Sequence, residues 1–89
     1  MTRTELRNAA ESLREAADAA GTDDARERLE SQARKLEESA GAERGPDHGR
    51  LAHHEHVLAE IADDEPGAAD HIEAALDSVR AYRETVEGV

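Results

Sequence analysis

Leu6-Arg7-Asn8-Ala9-Ala10-Glu11-Ser12-Leu13-Arg14-Glu15-Ala16-Ala17-Asp18-Ala19-Ala20-Gly21 is the stretch that decides the fold. Leu6, Ala9, Ala10, Leu13, Ala16, Ala17 and Ala20 recur at steps of three and four, with charged residues between them. A helical turn takes 3.6 residues, so these side chains share one face. Thr2 and Glu5 have the spacing of a capping box, and Gly21 stands where a left-handed C-terminal glycine belongs.

The same period returns three times. Ala25, Leu29, Ala33, Leu36 and Ala40 form a second stripe, with Thr22 or Asp23 as N-cap and Gly41 closing it. Asp23 and Asp24 put negative charge on that first turn, where the helix dipole favours it. After Gly45-Pro46 a third stripe runs through Leu51, His54, Leu58 and Ile61, with Asp47 as its cap. Asp63-Asp64-Glu65-Pro66-Gly67 interrupts the pattern, and Pro66 suits the first turn of a following helix. The fourth stripe holds Ile72, Ala75, Leu76, Val79, Tyr82 and Val86 and ends at Gly88. No segment alternates with period two. The fold class is therefore all-α: an antiparallel four-helix bundle built of two helical hairpins, with helices over about 3–20, 23–40, 47–63 and 66–87. Residues 1–89 make a single domain.

Composition alone argues otherwise. Leu, Ile and Val are 13 of 89 residues, Phe is absent, and 22 acidic against 11 basic residues leave a net charge of −11, which leans toward disorder. Yet Ala, Glu, Arg, Leu and Lys make up 50 of the 89, and these are helix formers. The helical period of the apolar residues decides for a folded chain.

Several classes fall away on the same numbers. Without Cys there is no disulfide framework and no thiolate metal site. No apolar run approaches the roughly 20 residues of a membrane span, and the opening residues carry no segment of signal-peptide type. Arg26, Arg28, Arg34 and Lys35 are interleaved with Glu27, Glu30, Glu37 and Glu38, and Tyr82 is the only aromatic, which argues against nucleic acid as a partner. No phosphate loop or nucleophile elbow is present, and Asp47 beside His48 reads as a helix cap rather than an acid–base pair. The chain is not expected to be an enzyme.

The acidic excess is spread along the helices, off the apolar stripes, at Glu11, Glu15, Asp18, Glu27, Glu30, Glu37, Glu55, Glu60, Glu73, Asp77 and Glu84. In dilute buffer such faces repel one another; at molar salt the Debye length falls to about 3 Å and the repulsion is screened. That points to the cytoplasm of a salt-in halophile. Residues 1–44 hold 8 basic and 11 acidic side chains, net −3, and residues 45–89 hold 3 and 11, net −8. One reading sets the arginines of the first two helices against the carboxylates of the last two; the other leaves most charges solvated and individually weak. The thin supply of large apolar side chains favours a homodimer that shares apolar faces over a monomer.

Arg44-Gly45-Pro46-Asp47-His48-Gly49-Arg50-Leu51-Ala52, a His-rich helix, and the ending Val79-Arg80-Ala81-Tyr82-Arg83-Glu84-Thr85-Val86-Glu87-Gly88-Val89 together resemble a family of small uncharacterised haloarchaeal proteins. The resemblance covers nearly the whole chain. It implies a halophilic origin and brings no activity with it.

Histidine is the compositional feature that could carry chemistry. His48, His53, His54 and His56 lie within nine residues, and His53, His56 and Glu60 fall on one helical face. Two imidazoles and a carboxylate suit zinc or a similar divalent ion, with a further ligand needed from His71, Asp64 or a second chain. The competing reading is a solvated polar face with no cofactor. His54 differs because it shares the stripe of Leu51, Leu58 and Ile61, at an interface or in a pH-sensitive core. His71, next to Ile72, reads as a boundary residue. The function expected is a halophilic protein–protein interaction or structural module, self-associating or engaging another protein. The alternative is a metal-binding protein using His53, His56 and Glu60.

Overall fold

The computed structural model describes residues 3–86 and contains four α-helices: α1 Thr4–Ala19, α2 Asp23–Gly41, α3 His48–Asp64 and α4 Ala69–Thr85. A 3-10 turn, Pro66–Ala68, leads into α4, so the segment expected as one helix from residue 66 has a tighter first turn, with Pro66 at its start. Only Glu65 separates α3 from that turn, and the acidic breaker acts as a corner rather than a loop. The end expected at residue 87 lies outside the described residues, and no strand occurs within them.

Two of the expected caps form. The Thr22 hydroxyl accepts the Ala25 amide at 3.1 Å, and the Asp47 carboxylate accepts the Arg50 amide at 2.8 Å. Helix α1 starts differently, with Arg3 at the N-cap position and no side-chain cap bond. Thr2, the other half of the anticipated capping box, lies outside the described residues. The glycine terminators are also different from expectation. No described glycine has a positive φ. Helix α1 leaves through extended Ala20, and the Gly21 amide donates to the Glu65 carboxylate at 2.6 Å. That bond gives the Gly21 amide its partner at the chain reversal, while the Ala20 amide closes the helix end on the Ala17 carbonyl at 3.2 Å. Gly41 stays within α2, which leaves through extended Ala42.

Helix α2 has no basic residue in its last turn. The Arg3 guanidinium takes that place. It donates to the carbonyls of Ser39 at 3.2 Å, Ala40 at 3.3 Å, Ala42, and Glu43 at 3.3 Å. A delocalised cation with several donors satisfies orphan carbonyls and opposes the negative end of the helix dipole together.

The pairings that join helices show the arrangement to be antiparallel throughout. Arg3 meets the end of α2, Gly21 meets Glu65 at the other end of the bundle, and Arg83 near the end of α4 meets His48 at the start of α3. Helix α1 packs along both α2 and α4, α3 packs on α4, and α3 meets α2 at a few residues only. Alanines let α1 run close to both neighbours: Leu6, Ala9, Ala10, Leu13, Ala16 and Ala17 are all buried. Every leucine and isoleucine of the chain is buried within it. Val57, Ala62, Tyr82 and Val86 pack against this core while remaining partly exposed. Among the described residues, the large apolar side chains are thus mostly enclosed within one chain.

The arginine–carboxylate pairs that join helices lie within the hairpins. Arg14 of α1 pairs with Glu37 of α2 at 2.7 Å, and Arg83 of α4 with Glu55 of α3 at 2.8 Å. Among the described residues, the arginines of α1 and α2 make no ion pair with a carboxylate of α3 or α4, contrary to the reading suggested by the two halves. Helices adjacent in sequence face each other first, and Arg14, Arg80 and Arg83 find their carboxylates there.

Candidate functional site: the α2/α3 cleft

Three sides of the bundle are closed by helix packing. The fourth, between the second half of α2 and the first half of α3, opens into a cleft of about 760 Å³. Helix α2 contributes Gln32, Lys35, Glu38 and Ser39 to its wall. The connection adds Ala42, Arg44, Gly45, Pro46 and Asp47, and α3 adds Arg50, His53 and His54. The seam is open because both stripes carry a polar residue where they meet. Gln32 follows Leu29 on the buried face of α2, and His54 follows Leu51 on that of α3.

The two polar residues satisfy each other. His54 Nδ1–H donates to Gln32 Oε1 at 2.5 Å, and His54 is only 3% exposed. Burial is the main reason its pKa is pushed down to about 4, assisted by the positive charge of His53, Lys35 and Arg50. A histidine held this way is neutral at ordinary pH, so the bond to Gln32 is between neutral partners. Among the described residues, no fully buried side-chain nitrogen or oxygen lacks a partner.

The connection forming the cleft floor is fastened from behind. A Cβ on Gly45 would lie 2.6 Å from the Tyr82 hydroxyl and 2.8 Å from Arg3 Nε. Glycine is favoured there by this close approach of α4 and of Arg3, and not by an unusual backbone angle. The Arg3 clamp on Ser39 and Ala42 anchors the same segment.

Leu51, Leu58 and Ile61 are completely buried with His54 in the core of one chain, so the stripe is a core face rather than an interface between chains. His56 approaches Glu60 at 3.4 Å, whereas His53 lines the cleft, its ring centroid 6.5 Å from that of His54. Among the described residues no three His, Asp or Glu side chains are grouped so as to hold a metal ion, and the trio His53, His56 and Glu60 is not assembled. Sharing a helical face is not sufficient, because side chains with several rotamers can point apart. His71 sits 3.7 Å from Glu15 across the α1/α4 seam, a boundary position as expected. Asp47 and His48 are engaged separately, Asp47 by the Arg50 amide and His48 by Arg83 Nε at 3.3 Å.

Sequence reasoning missed two arrangements. Glu55, read as a solvent-face carboxylate, is half-buried and bridges Arg83 to Arg80, the latter at 3.5 Å. The cleft cations Lys35, Arg44 and Arg50 belong to three different segments, and nothing in linear spacing unites them. Gln32 was visible as a polar intruder in the α2 stripe, midway between Leu29 and Leu36.

The chain matches a family of unknown function, DUF7553, over residues 1–85, and it belongs to that family. No curated protein and no solved structure matches it.

Proposed function

We propose that this member of DUF7553 is a non-catalytic interaction or structural module of a salt-rich cytoplasm, and that the α2/α3 cleft is its working surface. The observation that carries this reading is the contrast in the use of side chains. The large apolar residues are consumed in building a self-contained scaffold, while the open seam gathers polar and charged groups around a concavity. Concave sites with a few convergent polar groups are where small helical scaffolds bind. The evenly spread acidic surface supports a halophilic origin: it keeps the chain soluble in concentrated salt and strains it in dilute buffer. Among the described residues, the partly exposed Val57, Tyr82 and Val86 offer apolar contacts for self-association beside the polar faces.

Pull-down from a native lysate in molar KCl tests the reading, with wild type compared against Arg50→Glu. A partner retained by wild type and lost by the variant supports the cleft as the working surface. Capture that is indifferent to Arg50→Glu refutes it. Light scattering in the same salt reports self-association. The halophile claim fails if far-UV circular dichroism shows full, unchanged helicity between about 0.05 and about 3 M KCl.

A further inference from the structure

We propose that the α2/α3 cleft binds a small hydroxylated organic anion carrying a phosphate or several carboxylates, an inference that rests on the cleft being the module's working surface. Lys35 reaches it from α2, Arg44 from the connection and Arg50 from α3. Among the described residues none of these three side chains has a hydrogen bond or an ion pair, in a chain with twice as many carboxylates as cations. Arg7, Arg28 and Arg34 are also unpaired but stand outside the cleft. Three cations against Glu38 and Asp47 give the wall a charge of +1 with its histidines neutral, which leaves −12 for the rest of the chain. The concavity is a positive spot on a negative molecule.

The distant negative charge does not cancel it. At molar salt, fields are screened within about 3 Å, so an anion in the cleft responds to the groups it touches. The negative end of α2 is close by, but Arg3 already occupies its carbonyls at Ser39 and Ala42. Two guanidinium groups and an ammonium group match phosphate or paired carboxylates, with the guanidinium forks able to bind bidentately. Glu38 and the second oxygen of Asp47 are acceptors suited to ligand hydroxyl groups. The wall contains no Tyr, Trp or Phe, the broad platforms on which a base stacks best, and its polar lining suits a hydroxylated ligand. A volume of about 760 Å³ accommodates a small organic molecule with room to spare over a bare inorganic ion.

Occupancy is coupled to His54. His53, Lys35 and Arg50 act on it directly, and Glu38 from α2 with Arg44 and Asp47 from the connection line the same cleft. An anion offsets the cations that disfavour imidazolium, so binding raises the pKa of His54, and lower pH strengthens binding by the same linkage.

Isothermal titration calorimetry on the full chain, in low and in molar KCl, tests the proposal with ribose 5-phosphate, citrate and inorganic phosphate as probes. Saturable one-to-one binding of ribose 5-phosphate or citrate is expected, weakened at least about tenfold by the double variant Lys35→Gln/Arg50→Gln. Arg28→Gln, outside the cleft, should leave affinity unchanged, and circular dichroism verifies that all variants fold. Nuclear magnetic resonance titration of His54 should show its midpoint rising when the organic probe is bound. No saturable binding of either organic probe, or equal affinity in the double variant, overturns the proposal. Inorganic phosphate binding as tightly as ribose 5-phosphate and citrate overturns the organic, hydroxylated part of it. An acidic peptide captured in place of the probes sinks this inference and leaves the functional reading standing. Probe binding combined with partner capture indifferent to Arg50→Glu does the reverse.

Discussion

The α1/α2 and α2/α3 seams share a helix and are built on opposite terms. Against α1, helix α2 presents an alanine- and leucine-lined surface, and the two pack along their length. Against α3 the same helix offers Gln32, Lys35, Glu38 and Ser39, and the two helices part around a cleft. One seam is held by apolar burial and close approach. The other is held by a neutral hydrogen bond between two buried polar groups, with water-accessible charge around it. With few large apolar residues, the chain has concentrated them on three sides and left the fourth open and polar.

The largest test of that contrast is Leu13→Ala, which removes a fully buried side chain from the α1 face. A loss of about 3 kcal/mol is expected from urea unfolding in molar KCl, against little change for Lys35→Gln in the open seam. Comparable losses at both positions would break the distinction.

Acid probes the open seam next. The folded pKa of His54 is about 4, below the ordinary value of 6.5 that the unfolded chain retains. The unfolded state therefore binds the proton first. The stability contributed by neutral His54 is present above pH 6.5 and is lost as pH falls toward 4. Between about pH 7 and pH 5 this amounts to about 2 kcal/mol. His54→Gln should flatten that part of the stability–pH profile, and an unchanged slope in the variant would remove His54 from the account.

A smaller effect is expected behind the cleft. Gly45→Ala places a methyl group against Tyr82 Oη and Arg3 Nε, both at the ends of flexible side chains, so they can yield. The cost should be about 1 kcal/mol in denaturant titration. The smallest effect belongs to the surface of the closed seam. Arg14 holds the Glu37 carboxylate below its usual pKa, chiefly by hydrogen bonding, but both side chains are about half exposed. Glu37→Gln should leave the unfolding midpoint unchanged in molar salt.

The helices were legible because their evidence is local and repeated. Leu6 to Ala20 declares a face, and Thr22 and Asp47 mark starts through bonds that span three residues. Glycine endings were less legible, because Gly21 takes its partner from Glu65, 44 residues away. The site was legible only in part. His54 stood out as a polar residue on an apolar stripe, and Gln32 bore the same sign without being matched to it. Which residues meet across a bundle depends on helix rotation and on the few side chains that touch, and neither is written in spacing. For the same reason His53, His56 and Glu60 share a face on paper without assembling into a ligand set.

Helix α1 lies between its immediate successor and the last helix of the described chain, and this orders events in time. On a ribosome, α1 can dock against α2 early, since only a short turn joins them. Its other flank stays wet until α4 has been made, with Ile72, Leu76 and Val79 among the side chains the core still awaits. A nascent chain that has not yet reached α4 therefore carries an unprotected leucine face on α1.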